Sequence, residues 1–92
     1  MEDYVITTSL DWQRVRAKLT NSKHTLSMFK RDIDRMLHSI DEEVTKLANL
    51  EVLVRNRKSH NCIKNAEDQL EKINKQIKNF NKLYMMALLT HG

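Results

Sequence analysis

The chain of 92 residues contains no proline, a single glycine at its last position, a single cysteine, and only two phenylalanines, two tyrosines and one tryptophan. Each scarcity excludes something. Without proline or internal glycine, the tight turns of a β-meander lack their usual chemistry, and a sheet would need more aromatic and β-branched residues than are present. The composition therefore predicts an all-α protein. Cys62 has no second cysteine to bond with, which excludes a disulfide-stapled secreted scaffold and predicts an intracellular, cytoplasmic setting. The longest apolar run, "LYMMALL" at residues 83–89, is far short of the roughly 20 residues that cross a bilayer. The opening "MEDYVITTSLDW" begins acidic and has neither the basic nor the long apolar region of a signal peptide. No segment carries a strong excess of either charge. Sixteen basic and 12 acidic residues leave a net +4 and are interspersed along the chain, so an acidic partner surface is compatible with the sequence but not demanded by it.

What is present is helical periodicity. Steps of seven from Trp12 give Trp12, Leu19, Leu26, Ile33, Ile40, Leu47 and Val54, all apolar, with d positions at Val15, Ser22, Phe29, Met36, Glu43, Leu50 and Arg57. The d track leaks at Ser22 and Glu43, where Val44 stands next door. A repeat held this long is the pattern of a helix packed lengthwise along others, because 3.5 residues per turn keep one stripe on one side. It predicts helix 1 over residues 9–55, on the order of 70 Å long at 1.5 Å per residue, with Thr8 or Ser9 capping it and Asp11 near the positive end of its dipole. A second track, Ile63, Leu70, Ile77 and Tyr84 at a with Ala66, Ile73, Phe80 and Ala87 at d, predicts helix 2 over 62–90.

Between them lies "RNRKSHNC", residues 55–62. The a phase jumps by two residues across it, which would rotate the stripe of a straight helix by about 200° at roughly 100° per residue. A reversal resolves the jump. Residues 56–61 are therefore expected as a turn, with Asn56, Ser59 and Asn61 in place of glycine, and a single bent helix with a stutter is the alternative. The expected architecture is one domain over 1–92, with a tail over 1–8 and a long antiparallel helical hairpin of coiled-coil type, assembling into a multi-helix bundle.

The arms of such a hairpin are unequal. Its reversal places Leu88 beside Met28 and Phe29, and leaves residues 10–25 with nothing of their own chain to pack against. That overhang carries Leu10, Trp12, Val15 and Leu19, so an exposed apolar stripe predicts an interface. "LYMMALL" is apolar all round, as in a helix buried by more than one neighbour. Leu10, Trp12, Val15, Leu19, Leu26, Phe29, Phe80, Tyr84 and Leu88 are accordingly the candidate partner interface, toward a second copy or another helical protein, with Met28, Met36, Met85 and Met86 as adaptable surface. The competing architecture breaks helix 1 at "LTNSKHT", residues 19–25, whose Thr, Asn and Ser favour caps. Residues 9–20 would then fold back as a third helix and close a monomeric bundle.

No chemistry-bearing constellation outweighs its plainer explanation. His60 and Cys62 form the only pair resembling metal ligands, but His24, His38 and His91 have no local spacing with them and no second cysteine completes four ligands. Adjacent Ser59 and His60 do not make a nucleophile and base without a third group or an oxyanion loop. Asp32, Asp34, Asp41, Glu42 and Glu43 lie mostly off the a/d stripe and are expected on solvated faces. Neither cofactor, metal nor catalysis is expected. The rival function is nucleic-acid binding, with Arg55, Arg57 and Lys58 at the turn and Lys64, Lys72, Lys75, Lys78 and Lys82 along helix 2 as phosphate contacts. Against it, Glu67, Asp68 and Glu71 dilute the field, and Lys72, Lys75 and Lys82 flank the core stripe as coiled-coil side positions do.

The segment "NCIKNAEDQLEKIN", residues 61–74, resembles the carboxyl-terminal helix of snapin and related small coiled-coil subunits of the lysosome-related organelle complexes, through Asn61, Asn65, Ala66, Leu70 and Asn74. It covers about one sixth of the chain. The resemblance implies a subunit of an elongated trafficking or cytoskeletal assembly and carries over no functional residue. The expected function is thus non-enzymatic: protein–protein interaction or scaffolding, as a homo-oligomer or as a small subunit of a larger complex.

Overall fold

A computed structural model describes residues 4–57 and 59–91, and among these lie three α-helices, one short 3₁₀ turn and no strand. The helices are α1, Ser9–Thr25; α2, Lys30–Arg57; and α3, His60–His91, with the 3₁₀ turn at Ser27–Phe29 between the first two. The chain is all-α, as its composition dictates.

α1 starts where the sequence places a cap. The Thr8 hydroxyl accepts from the Asp11 backbone N–H at 3.3 Å, and the Asp11 carboxylate accepts from the Thr8 N–H at 3.1 Å, a reciprocal capping box. Thr7 adds its backbone N–H at 3.2 Å and its hydroxyl to the same carboxylate. These bonds, the Thr7 hydroxyl foremost, hold the Asp11 carboxyl below its ordinary value.

The continuous helix expected over 9–55 is interrupted. α1 ends at Leu26, whose backbone leaves the helical region at φ −109° and ψ 52°, its N–H still bonded to the Ser22 carbonyl at 2.9 Å. Thr20, Asn21, Ser22 and Thr25 weaken the helix just before that point, as residues whose short polar side chains compete for the backbone do. Ser22 does so directly, bonding the Lys18 carbonyl at 3.1 Å. The reversal turns α1 back along α2. Ser9 bonds Glu51 at one end, Arg16 pairs with Asp41 at 2.9 Å in the middle, and Lys23 pairs with Asp34 at the other. The largest extent of the molecule is accordingly 48 Å, well short of a straight helix over 9–55.

α3 returns along the other side of α2, where Gln69 reaches Glu43 and Gln76 reaches Ser39 at 3.2 Å. Its start is fixed within "RNRKSHNC": the Ser59 side chain accepts from the Cys62 N–H at 3.2 Å, and the Ser59 carbonyl from the Ile63 N–H at 3.1 Å. Lys58 lies outside the described residues. α1 and α3 meet as well, through the Ser22 and Tyr84 hydroxyls at 3.0 Å.

One apolar core joins all three helices. Trp12, Val15 and Leu19 of α1 and Leu26 of the connection pack with Ile33, Leu37, Ile40, Val44 and Leu47 of α2 and Ile73, Ile77, Phe80 and Ala87 of α3. The premise that residues 10–25 have no partner in their own chain is thereby overturned, because Trp12 is 2% and Leu19 1% exposed. Most of the a track is buried as read, but it is divided between two helices. Periodicity reports which residues face inward; it does not report whether the backbone between them is straight.

Candidate interaction surfaces

Of the nine residues expected at a partner interface, Trp12, Val15, Leu19, Leu26 and Phe80 lie in the interior of their own chain. Phe29, Tyr84 and Leu88 are half-buried against that core, with the Phe80 and Tyr84 rings stacked at 6.2 Å between centroids. Leu10 is exposed. The structure thus gathers eight of the nine around one core within one chain.

Two polar groups, half-buried Asp41 at the edge of this core and buried Glu43, escape a reading based on the a/d stripe. The Trp12 indole N–H donates to Asp41 at 2.7 Å, and Asp41 also receives the Arg16 guanidinium. A buried tryptophan needs an acceptor for its N–H, which is the signal that would have removed Asp41 from the solvated faces. Glu43 is likewise not solvated. Its carboxylate accepts from Gln69 Nε2 at 2.6 Å and sits 3.4 Å from the ammonium groups of both Lys46 and Lys72, with Val44 buried beside it. The Gln69 bond is the main cause that holds the Glu43 carboxyl below its ordinary value; partial burial opposes it and the two lysines assist.

Large apolar side chains stay on the surface at both ends. At the end where the Ser22–Tyr84 contact joins α1 to α3, Met28, Met85, Met86 and Leu89 are exposed, Leu89 by 82%. The stretch "LYMMALL" is therefore covered on one side only, Ala87 buried and Leu83, Tyr84 and Leu88 half-buried. Near the α2–α3 connection Val52, Leu53 and Ile63 are exposed to a lesser degree.

The basic row of α3 does not form one face. Lys64, Lys72, Lys75, Lys78 and Lys82 are all exposed, but Lys72 leans toward α2 and Glu43, whereas Lys75 and Lys78 border the segment before α1. Arg55 is exposed, and the Arg57 side chain, like Lys58, lies outside the described residues. His60 and Cys62 stand in the first turn of α3, and among the described residues no three metal-ligating side chains come together. No described helix is long and apolar enough to cross a membrane.

The segment before α1, expected as a tail, contributes a contact of its own. Ile6 is 1% exposed, and the Asn74 side-chain amide pairs with its backbone, accepting from the Ile6 N–H at 2.8 Å and donating to the Ile6 carbonyl at 3.1 Å. Beside it lies an open groove of about 510 Å³, lined by Tyr4, Val5, Glu71, Asn74, Lys75, Lys78 and Asn81. No periodic pattern announces Ile6, because a single anchoring side chain has no period.

No family model, curated protein or solved structure matches the chain.

Proposed function

We propose that this chain is a non-enzymatic interaction or scaffold protein, a coiled-coil-like helical bundle that binds helical proteins, either a second copy or the other subunits of a larger complex of the trafficking or cytoskeletal type. The observation that carries the reading is the half-covered apolar end: Met28, Met86 and Leu89 are 74%, 65% and 82% exposed. Exposed apolar surface gains free energy at about 25 cal/mol per Å² when a partner covers it. Flexible methionines suit an adaptable contact with a helix face. Because Trp12 and Leu19 are buried by their own chain, partner binding on this reading adds to a finished core and does not complete it. The single cysteine fits an intracellular, cytoplasmic setting.

The test is photo-crosslinking from position 86, with exposed position 14 as control. A crosslinked protein species enriched at 86 over 14, and lost in Leu89→Asp, is expected. Equal yields from both positions would refute the apolar end as an interface. The nucleic-acid alternative has a narrower basis, the exposed Lys75, Lys78 and Lys82. It requires binding that weakens steeply with salt and whose salt slope flattens in Lys75→Gln and Lys78→Gln.

A further inference from the structure

We infer that the exposed face of α3 is a docking surface for a second copy of this chain, bound antiparallel through the same face. The inference rests on the reading of the apolar end as an interface and names its occupant. At 3.6 residues per turn, Glu67, Glu71, Lys78, Lys82, Met85 and Leu89 fall within a strip about 60° wide along α3, and all six are exposed. The strip is sorted along its length, acidic first, then basic, then apolar. Among the described residues, none of its four charges makes an ion pair within the chain.

This order is self-complementary only when reversed. Glu71 and Lys78 share a midpoint in sequence with Glu67 and Lys82, between Asn74 and Lys75. A two-fold axis there lays Lys78 against Glu71 and Lys82 against Glu67 of the other copy, and symmetry repeats both pairs across the axis. Lys64 and Met85 have the same midpoint, as do His60 and Leu89, and both His60 and Lys64 are exposed on the same strip. Each copy thereby covers the other's apolar end with the start of its own α3, where Ile63, 39% exposed, comes beside Met85. No position of the strip faces a charge of its own sign. In a parallel pair every lysine and glutamate would meet its own kind, so the charges select the antiparallel orientation.

A foreign helix would need an acidic stretch at the matching spacing; a second copy carries one. The overlap from His60 to Leu89 is about 45 Å at 1.5 Å per residue, against a largest molecular extent of 48 Å. The copies therefore lie side by side over almost their whole length. Val5, 72% exposed, borders the strip at its midpoint beside Asn74 and Lys75 and adds apolar surface near the axis.

The test is charge reversal in the full chain, read by sedimentation equilibrium from micromolar to millimolar concentration. Lys78→Glu with Lys82→Glu, and separately Glu67→Lys with Glu71→Lys, set like charges against each other and should each weaken self-association at least about tenfold. An equimolar mixture of the two variants restores every opposite pair and should associate as tightly as the unaltered chain. That rescue requires both variants to be folded, so it separates lost pairing from lost structure. Orientation is read from disulfides in a Cys62→Ser chain. Lys75→Cys stands at the axis and should crosslink to its own copy, whereas Asp68→Cys lies about 20 Å from its copy along the helix and should not. Indifference to both reversals, a mixture no tighter than the reversed chains alone, or equal crosslinking at positions 75 and 68 overturns the inference. If Leu89→Asp still abolishes association in that case, the apolar end remains an interface and only the antiparallel copy is removed from it. A chain that stays monomeric at millimolar concentration assigns the face to a different protein and overturns the inference as well.

Discussion

Individual side chains decide where this core is polar, and three of them give measurable consequences. Glu43 ionises at a lower pH in the fold than in the unfolded chain, chiefly through Gln69. Because the folded value is the lower one, the stabilisation is present above the ordinary glutamate range and is lost as pH falls through the folded value. The stability difference between the native chain and Glu43→Gln, measured by urea unfolding, should therefore be constant at neutral pH and shrink below that range. Trp12, 2% exposed, joins α1 to the core; Trp12→Ala should cost about 3–5 kcal/mol. Asp41→Ala leaves the Trp12 indole N–H without its acceptor and should cost about 1–3 kcal/mol. The spacing of Trp12 marked it as inward-facing, but placed it at a partner interface rather than in the core of its own chain. Asp41 was not legible, because off-stripe carboxylates look alike until a neighbour's donor is placed beside one of them.

Helix starts are written more plainly in this sequence than helix breaks. A threonine followed three residues later by an aspartate makes the capping box at Thr8 and Asp11, and Thr8→Ala should lower stability by about 1 kcal/mol in denaturant unfolding. The end of α1 is harder to read. Neither glycine nor proline marks it, and Leu26 is both the residue that leaves the helix and an a position that stays buried at 1% exposure. The Thr, Asn and Ser residues of "LTNSKHT" carry the only local signal for the break, and an unbroken heptad phase outweighs it when periodicity is read alone. Two antiparallel helices that both face a shared interior reproduce that phase across the turn between them.

For the whole molecule, closure of the core within one chain changes what is expected in solution. Light scattering at micromolar concentration should give a mass near 10.9 kDa with a single cooperative unfolding transition. A dimer persisting at the lowest concentrations would mean that the core is shared between chains. Surface association at the apolar end should appear only as concentration rises, and Leu89→Asp should abolish it without loss of helicity.

The sequence by itself determined the helical class, most of the residues that face inward, and the polar connection at "RNRKSHNC", since each follows from composition or from a period shorter than two helical turns. Only the tertiary structure decided that residues 9–25 fold back on α2, that Asp41 accepts from the buried Trp12 and Glu43 from Gln69, and that Ile6 docks on Asn74. These depend on distances between residues 26 to 68 positions apart. The contacts of α1 are set by the direction the chain takes after Leu26, where one backbone angle and a few weak helix formers choose between a straight helix and a closed bundle, and those of Glu43 by the return of α3 along α2.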